Sequence, residues 1–271
     1  KMNREKVLAP AVEWAEKGIP VTVNLASIIQ SELGKINKYS ATAKIYTKDG
    51  LPYELGETIK NPDLAATLRA IAKDGKDAIY KGEMAEKIAK AARDAGGILT
   101  AADLANYQVK IRKPVTGTYR GYTIVSVPPA SSGGTHVIQI LNILENMDIA
   151  KMGPGTPATT HAWIEALRLA FADRGKYMAD ADFVKVPLKG LANKDYAKVL
   201  AAKIDMAKAM GSATADDPTK FESGSTTHFS VMDKDGNMVA VTKSINYFFG
   251  SGVTVPGTGF ILNDHMDDFA L

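Results

Sequence analysis

Cysteine is absent from this chain of 271 residues. That excludes disulfides, zinc thiolates, iron–sulfur clusters and a cysteine nucleophile. No apolar run approaches the roughly 20 residues that a membrane-spanning helix needs. An excess of one charge is lacking too: 33 Lys and Arg are interspersed with 30 Asp and Glu, for a net +3. With no basic run and no aromatic-interleaved patch, nucleic acid is not an expected partner. The four histidines, His136, His161, His228 and His265, are scattered without metal-ligand spacing, so no metal and no cofactor is expected. The glycine-rich stretch "GSGVTVPGTG" begins like a nucleotide fingerprint at Gly250 and Gly252, but Val255 holds the third glycine place and no helix-forming run follows. It reads as a tight, backbone-exposing loop.

A hydrophobic content of 45% over this length allows a sizeable buried core. The N-terminus reads as an amphipathic helix with Val7, Ala11, Trp14 and Ala15 on one face, not as a signal peptide. Asn61-Pro62 is a helix cap followed by proline at the first helical position, with Leu64, Leu68 and Ile71 on one face. A second helix through Met84, Ile88, Ala92 and Ala95 stops at Gly96-Gly97, and Thr100 with Asp103 opens a third as a capping box. "VTGTYRGYTIVSVPP" alternates about Arg120-Gly121 as a hairpin. Ser131 to Gly134 reads as the cap of a helix with Val137, Ile140, Leu141 and Leu144 inward. From Thr156-Pro157 runs a helix whose apolar positions almost encircle it, as in a core helix. The stretch 209–224 is a polar linker, and two alternating runs follow it, Thr226–Met232 and Met238–Ser244. Helices followed by a strand-rich end predict a layered α+β fold, and the chain is expected to be part of a longer one.

"DKDGN", Asp233 to Asn237, suits a hairpin turn better than a calcium loop, because Ser244 stands where the bidentate Glu would be. With a three-residue loop Lys234-Asp235-Gly236, Asp233 faces Asn237 and Thr226 faces Ser244; a two-residue loop shifts the register by one. Strand alternation then sets Asn246 on the same face as Ser244. Three short polar side chains form either a hydrogen-bonded cluster or a site. The matching chemistry is an N-terminal nucleophile. A threonine hydroxyl needs a base, and cleavage of Ser225–Thr226 would free an α-amine of pKa about 7.7–8.0, neutral enough to serve. The mechanism needs no base from His228, which is given a structural role. "NDHMDDF", Asn263 to Phe269, reads equally as a solvated loop or as a binder of a cationic group.

"YKGEMAEKIAKAARDAGGILTAADLANYQ", "VPPASSGGTHVIQILNILENMD", "EALRLAFADRGKYM", "STTHFSVMDKDGN" and "FFGSGVTVPGTGFILNDHMDDF" together resemble signatures of the γ-glutamyltransferase (γ-glutamyl transpeptidase) family, in family order. The resemblance implies an αββα sandwich of the N-terminal-nucleophile hydrolase type, incomplete here and one structural domain overall. It implies a precursor that cleaves itself, residues 1–225 being the C-terminal part of a large subunit and 226–271 the N-terminal part of a small one. Thr226 matches the nucleophile. Ser244 stands where a threonine usually bonds it, and Asn246 and Asp268 match residues that bind the donor's α-amino group. His265 stands where Glu or Gln is usual, and an imidazole supplies neither carboxylate nor amide. The implied donor is glutathione or a related γ-glutamyl amide, and the acceptor is water, an amino acid or a peptide. The implied compartment is periplasmic or extracellular. Alternatives are an acylase or amidase for other amides, such as poly-γ-glutamate, or an inactive fragment. The family's carboxylate-binding arginine, paired serines and oxyanion glycines have no match in this chain, so the chain taken alone is expected to turn over little or nothing.

Overall fold

The computed structural model describes residues 2–211 and 226–268. Ser225 lies outside the described residues, as does most of the expected linker, and so do the side chains of Thr226 and Asp268. The chain forms two compact units, Lys1–Val109 with Ser223–Leu271, and Lys110–Glu222.

In the first unit α1 (Arg4–Lys17) is opened by Asn3, whose side chain accepts the Lys6 N–H at 2.9 Å. The face expected to be buried is not: Val7 and Trp14 are more than half exposed, and Val12 is the buried residue. The helix lies against α5, and the i, i+4, i+7 row Leu8, Val12 and Ala15 is the more covered one. Next come β1 (Ile19–Pro20), α2 (Val23–Ser31), α3 (Leu33–Lys38), α4 (Ser40–Tyr46), β2 (Thr47–Lys48), β3 (Leu51–Pro52) and β4 (Thr58–Ile59). Val21, Ile29, Ile36 and Ile59 form their core, with Phe249 packed against it. Helix α5 (Pro62–Asp74) has Asn61 as its cap, as expected. Its fully buried residues are Ala65 and Thr67, whereas Leu64, Leu68 and Ile71 are half-buried. A short α6 (Asp77–Tyr80) leads to α7 (Gly82–Asp94), whose small residues Ala85, Ala89, Ala91 and Ala92 are buried with Ile88. Helix α8 (Ala101–Asn106) carries the complete capping box of Thr100 and Asp103.

The second unit opens with the hairpin β5 (Val115–Tyr119) and β6 (Tyr122–Ser126), registered Tyr119 to Tyr122. Arg120 and Gly121 both have positive φ, as a two-residue type I′ turn requires. Then follow α9 (Gly133–Leu144), α10 (Ile149–Met152), α11 (Pro157–Tyr177), α12 (Leu188–Leu191) and α13 (Lys194–Ala201). Two expectations fail here. Helix α9 is packed by α11, α12, α13 and the hairpin, so it buries Thr135, His136, Gln139 and Asn142 as well as Ile140 and Leu144, while Val137 faces out and Leu141 is only half-buried. Helix α11 is buried on one face only: Ala162, Ala166, Leu169 and Ala170 join the core, but Trp163, Ile164, Leu167 and Phe171 are 37–49% exposed. The Ser131–Gly134 cap is also built differently. Ser131 Oγ accepts the Gly133 N–H at 3.3 Å, whereas Ser132 Oγ accepts from Arg174 Nε at 2.9 Å. His136 is buried on α9, with Nδ1 2.7 Å from Gln139, which donates to Asp173 at 2.5 Å; Tyr196 donates to the same carboxylate. Burial, with the Asp173 contact second, pushes the Tyr196 hydroxyl up to about 12.

The chain returns to the first unit as β7 (Thr226–Met232) and β8 (Met238–Ser244), with the bounds expected from their alternation. Among the described residues every sheet is a two-stranded antiparallel pair.

Candidate functional site

The turn between β7 and β8 sets the geometry. Asp233 N–H donates to Asn237 O at 3.0 Å and Gly236 takes φ +82°, so the loop has three residues. Every pair then follows the expected register: Met232 faces Met238, Phe229 faces Val241, and Thr226 faces Ser244. The Asp233 carboxylate is consumed by the turn. It accepts the Asn237 side-chain amide at 2.8 Å and the N–H groups of Asn237 and Asp235 at 2.9 Å. These donors hold it below the usual carboxylate range, the Asn237 side chain contributing most. No group of three or more His, Asp or Glu fit to hold a metal exists among the described residues. His228 stays within the hairpin, with Nδ1 2.8 Å from Thr242 Oγ1 and Nε2 3.2 Å from Ser230 Oγ.

Beyond Ser244 the chain leaves the strand. Asn246 is 1% exposed and has φ +72°, a left-handed conformation that Asn tolerates better than most residues. Strand alternation therefore does not bring Asn246 to Ser244; a local bond does, Asn246 N–H to Ser244 Oγ at 3.0 Å. The segment 244–247 is then stitched to 263–265. Asn246 Nδ2 donates to Asp264 O at 3.3 Å, Asp264 N–H to Ile245 O at 3.3 Å and Tyr247 N–H to Asp264 Oδ1 at 3.3 Å. His265 Nε2 lies 3.1 Å from Ser244 O, and its N–H donates to Asn263 Oδ1 at 3.1 Å. Of the expected residues, Ser244, Asn246 and His265 thus converge, Thr226 stands across the ladder, and Asp268 ends the 3₁₀ turn His265–Asp268.

The glycine-rich loop between these segments is not backbone-exposing. Val253, Thr254, Val255 and Thr258 are buried. Three residues hold it from outside. Thr42 of α4 donates to Gly252 O at 2.6 Å, Asn61 Nδ2 to Gly259 O at 2.7 Å, and Thr67 of α5 to Thr258 O at 2.8 Å. Lys35 Nζ adds a bond to Phe248 O at 3.0 Å. Val253 and Val255 pack with Ile88 and Ala91 of α7. Thr42 and Thr67 carry no signal in the sequence, because their partners lie about 200 positions away. The loop in turn presents the 244–247 and 263–265 segments: Ser251 N–H and Oγ both donate to Leu262 O, at 3.1 and 2.9 Å.

A family model described as Gamma-glutamyltranspeptidase matches residues 1–271. The chain is 44% identical over 273 residues to the glutathione hydrolase proenzyme of Escherichia coli (strain K12), covering 99% of this chain and 47% of that one. It is 42% identical over 264 residues to the Acylase ACY 1 proenzyme of Pseudomonas sp. (strain SE83), covering 97% and 47%. The chain thus spans about half the length of the curated relatives it matches. Among solved structures, cephalosporin acylase from Bacillus halodurans superposes with a TM-score of 0.88 at 30% identity, over 100% of this chain and 49% of that chain. Helicobacter pylori gamma-glutamyltranspeptidase superposes with a TM-score of 0.76 at 41% identity, over 80% and 63%. The fold is the α+β fold of the N-terminal-nucleophile hydrolases, and the chain belongs to the gamma-glutamyltranspeptidase family.

Proposed function

We propose that the protein containing this chain transfers or hydrolyses γ-glutamyl groups through an acyl-enzyme on Thr226. The observation that carries this reading is the strand register that sets Thr226 opposite Ser244, with Asn246 and His265 bonded to Ser244. The Thr226 hydroxyl first attacks the Ser225 carbonyl. The peptide nitrogen leaves as the new α-amine of Thr226, and water hydrolyses the resulting ester. In the mature enzyme that amine takes the hydroxyl proton while the oxygen attacks the γ-carbonyl of a donor such as glutathione. The proton passes to the leaving amine. Water, an amino acid or a peptide then attacks the γ-glutamyl ester and regenerates Thr226. Ser244 orients the nucleophile, and Asn246 and Asp268 bind the donor's α-amino group. His265 stands at the amino-group position as well, with Nε2 already engaged by Ser244. The reading includes a periplasmic or extracellular enzyme, the location the resemblance implies.

A second reading, an acylase for other amides, is favoured by the similarity to Acylase ACY 1 and to cephalosporin acylase and by histidine at position 265. The two separate in one experiment on the full-length precursor. Wild type and Thr226→Ala are followed by intact mass and then assayed on γ-glutamyl anilide and on glutaryl anilide, which lacks the α-amino group. The first reading expects cleavage before Thr226, its loss in Thr226→Ala, and a preference for the γ-glutamyl donor. An uncleaved but active wild type would refute the nucleophile, and a preference for the glutaryl donor would favour the acylase.

A further inference from the structure

A carbonyl oxygen only accepts hydrogen bonds, so the 3.1 Å contact from His265 Nε2 to Ser244 O places a proton on Nε2. This determines what the ring has left to offer. At most Nδ1 faces another group, where the Glu or Gln implied at this position would bring two polar atoms. Ser244 O is the last carbonyl of β8, at the point where the ladder ends and the chain turns left-handed at Asn246. Strand ends open at little cost. Here the end is tied down: His265 holds the Ser244 carbonyl, Asp264 N–H holds the next carbonyl, Ile245, and Asn246 bonds back to Asp264. His265 is itself seated, because its N–H is held by Asn263 Oδ1 at 3.1 Å.

We propose that His265 is a positioning residue: its Nε2–H anchors the Ser244 carbonyl and so fixes the strand end registered against Thr226. The proposal rests on the reading of Thr226 as nucleophile. It differs from an amino-group contact in what it changes. A contact to the donor acts on binding of donors that carry the amine. An anchor acts on the placement of Ser244 and Thr226, whatever the donor, and a displacement of about 1 Å near reacting groups costs on the order of 100-fold.

The test uses the full-length enzyme with His265→Leu and His265→Gln. Leucine removes the donor. Glutamine places an N–H about as far along the side chain as imidazole Nε2 does. The anchor expects His265→Leu to lower kcat by roughly 10- to 100-fold on both γ-glutamyl and glutaryl anilide with KM nearly unchanged, and His265→Gln to recover most of it. A rise in KM for the γ-glutamyl donor alone would overturn the proposal, and so would a glutamine variant no better than the leucine one. Nitrogen-15 NMR of labelled histidine in the wild-type enzyme gives a readout that needs no variant to fold. The expected ring carries its proton on Nε2. An Nδ1–H ring in an enzyme that depends on Thr226 overturns the anchor alone; turnover that survives Thr226→Ala overturns the nucleophile reading and the proposal with it.

Discussion

Replacing Thr42 with valine changes one hydroxyl and almost no volume, yet that hydroxyl is fully buried and serves three bonds. It donates to Gly252 O at 2.6 Å and accepts the Thr254 N–H at 3.0 Å, and Thr254 Oγ1 lies 2.9 Å away. One hydroxyl has a single proton, so Gly252 O receives it and the Thr254 hydroxyl donates in turn. In Thr42→Val the Gly252 carbonyl and the Thr254 amide lose these partners in a buried site. Each such group costs about 1–3 kcal/mol, and the added methyl returns about 0.8 kcal/mol. The expected net loss is about 3 kcal/mol. With a urea m-value near 3 kcal/mol/M, that is a midpoint lower by about 1 M, and the Thr254 amide should exchange faster in hydrogen exchange. Thr42→Ser keeps the hydroxyl and should lose only about 1 kcal/mol. Thr254→Val removes a second participant in the same cluster, so the double variant should lose less than the sum of the singles. A Thr42→Val midpoint within about 0.2 M of wild type, with unchanged m, would refute the reasoning, because the glycine loop would then not depend on this tether.

Gly259 has φ +74°, and a Cβ there would run into Asn61 Oδ1 and the Leu64 amide, which form the cap of α5. Gly259→Ala should therefore cost about 3 kcal/mol from overlap and left-handed strain, read as a Tm lower by roughly 6–12 °C; a shift under about 2 °C would contradict it. At Asn246, Ala and Gly both lose the bond to Asp264 O, but only Ala is strained at φ +72°. Asn246→Ala should thus be about 1 kcal/mol less stable than Asn246→Gly by urea titration, and equal stabilities would count against the left-handed backbone. Burial lowers the His136 pKa below its ordinary 6.5, despite the bond to Gln139. The unfolded chain then binds the proton more tightly, so His136 contributes full stability above pH 6.5 and loses it as pH falls from there toward the folded value. His136→Asn should flatten the acid side of the stability–pH curve in that window; an unchanged slope would show that His136 does not carry it.

How much was legible in advance follows from the range of each interaction. The caps at Asn61 and Thr100, the turns at Arg120-Gly121 and Asp233–Asn237, and the bounds of β7 and β8 were readable because each rests on residues within about five positions of one another. The register follows from the turn, so the pairing of Thr226 with Ser244 was decided by local chemistry. The family was legible in the motifs of the whole chain. Burial was not. Val7 and Trp14 make as good an apolar face as Val12 does until α5 chooses one, and the apolar ring of α11 gives no hint that only one side is covered. The site divides the same way. Its residue types and the Thr226–Ser244 pairing belong to the sequence. The left-handed Asn246, the imidazole on the Ser244 carbonyl and the tether from Thr42 to Gly252, 210 positions apart, exist only in the folded chain. A hydrogen bond between distant segments leaves no local pattern, because either partner alone would have suited water as well.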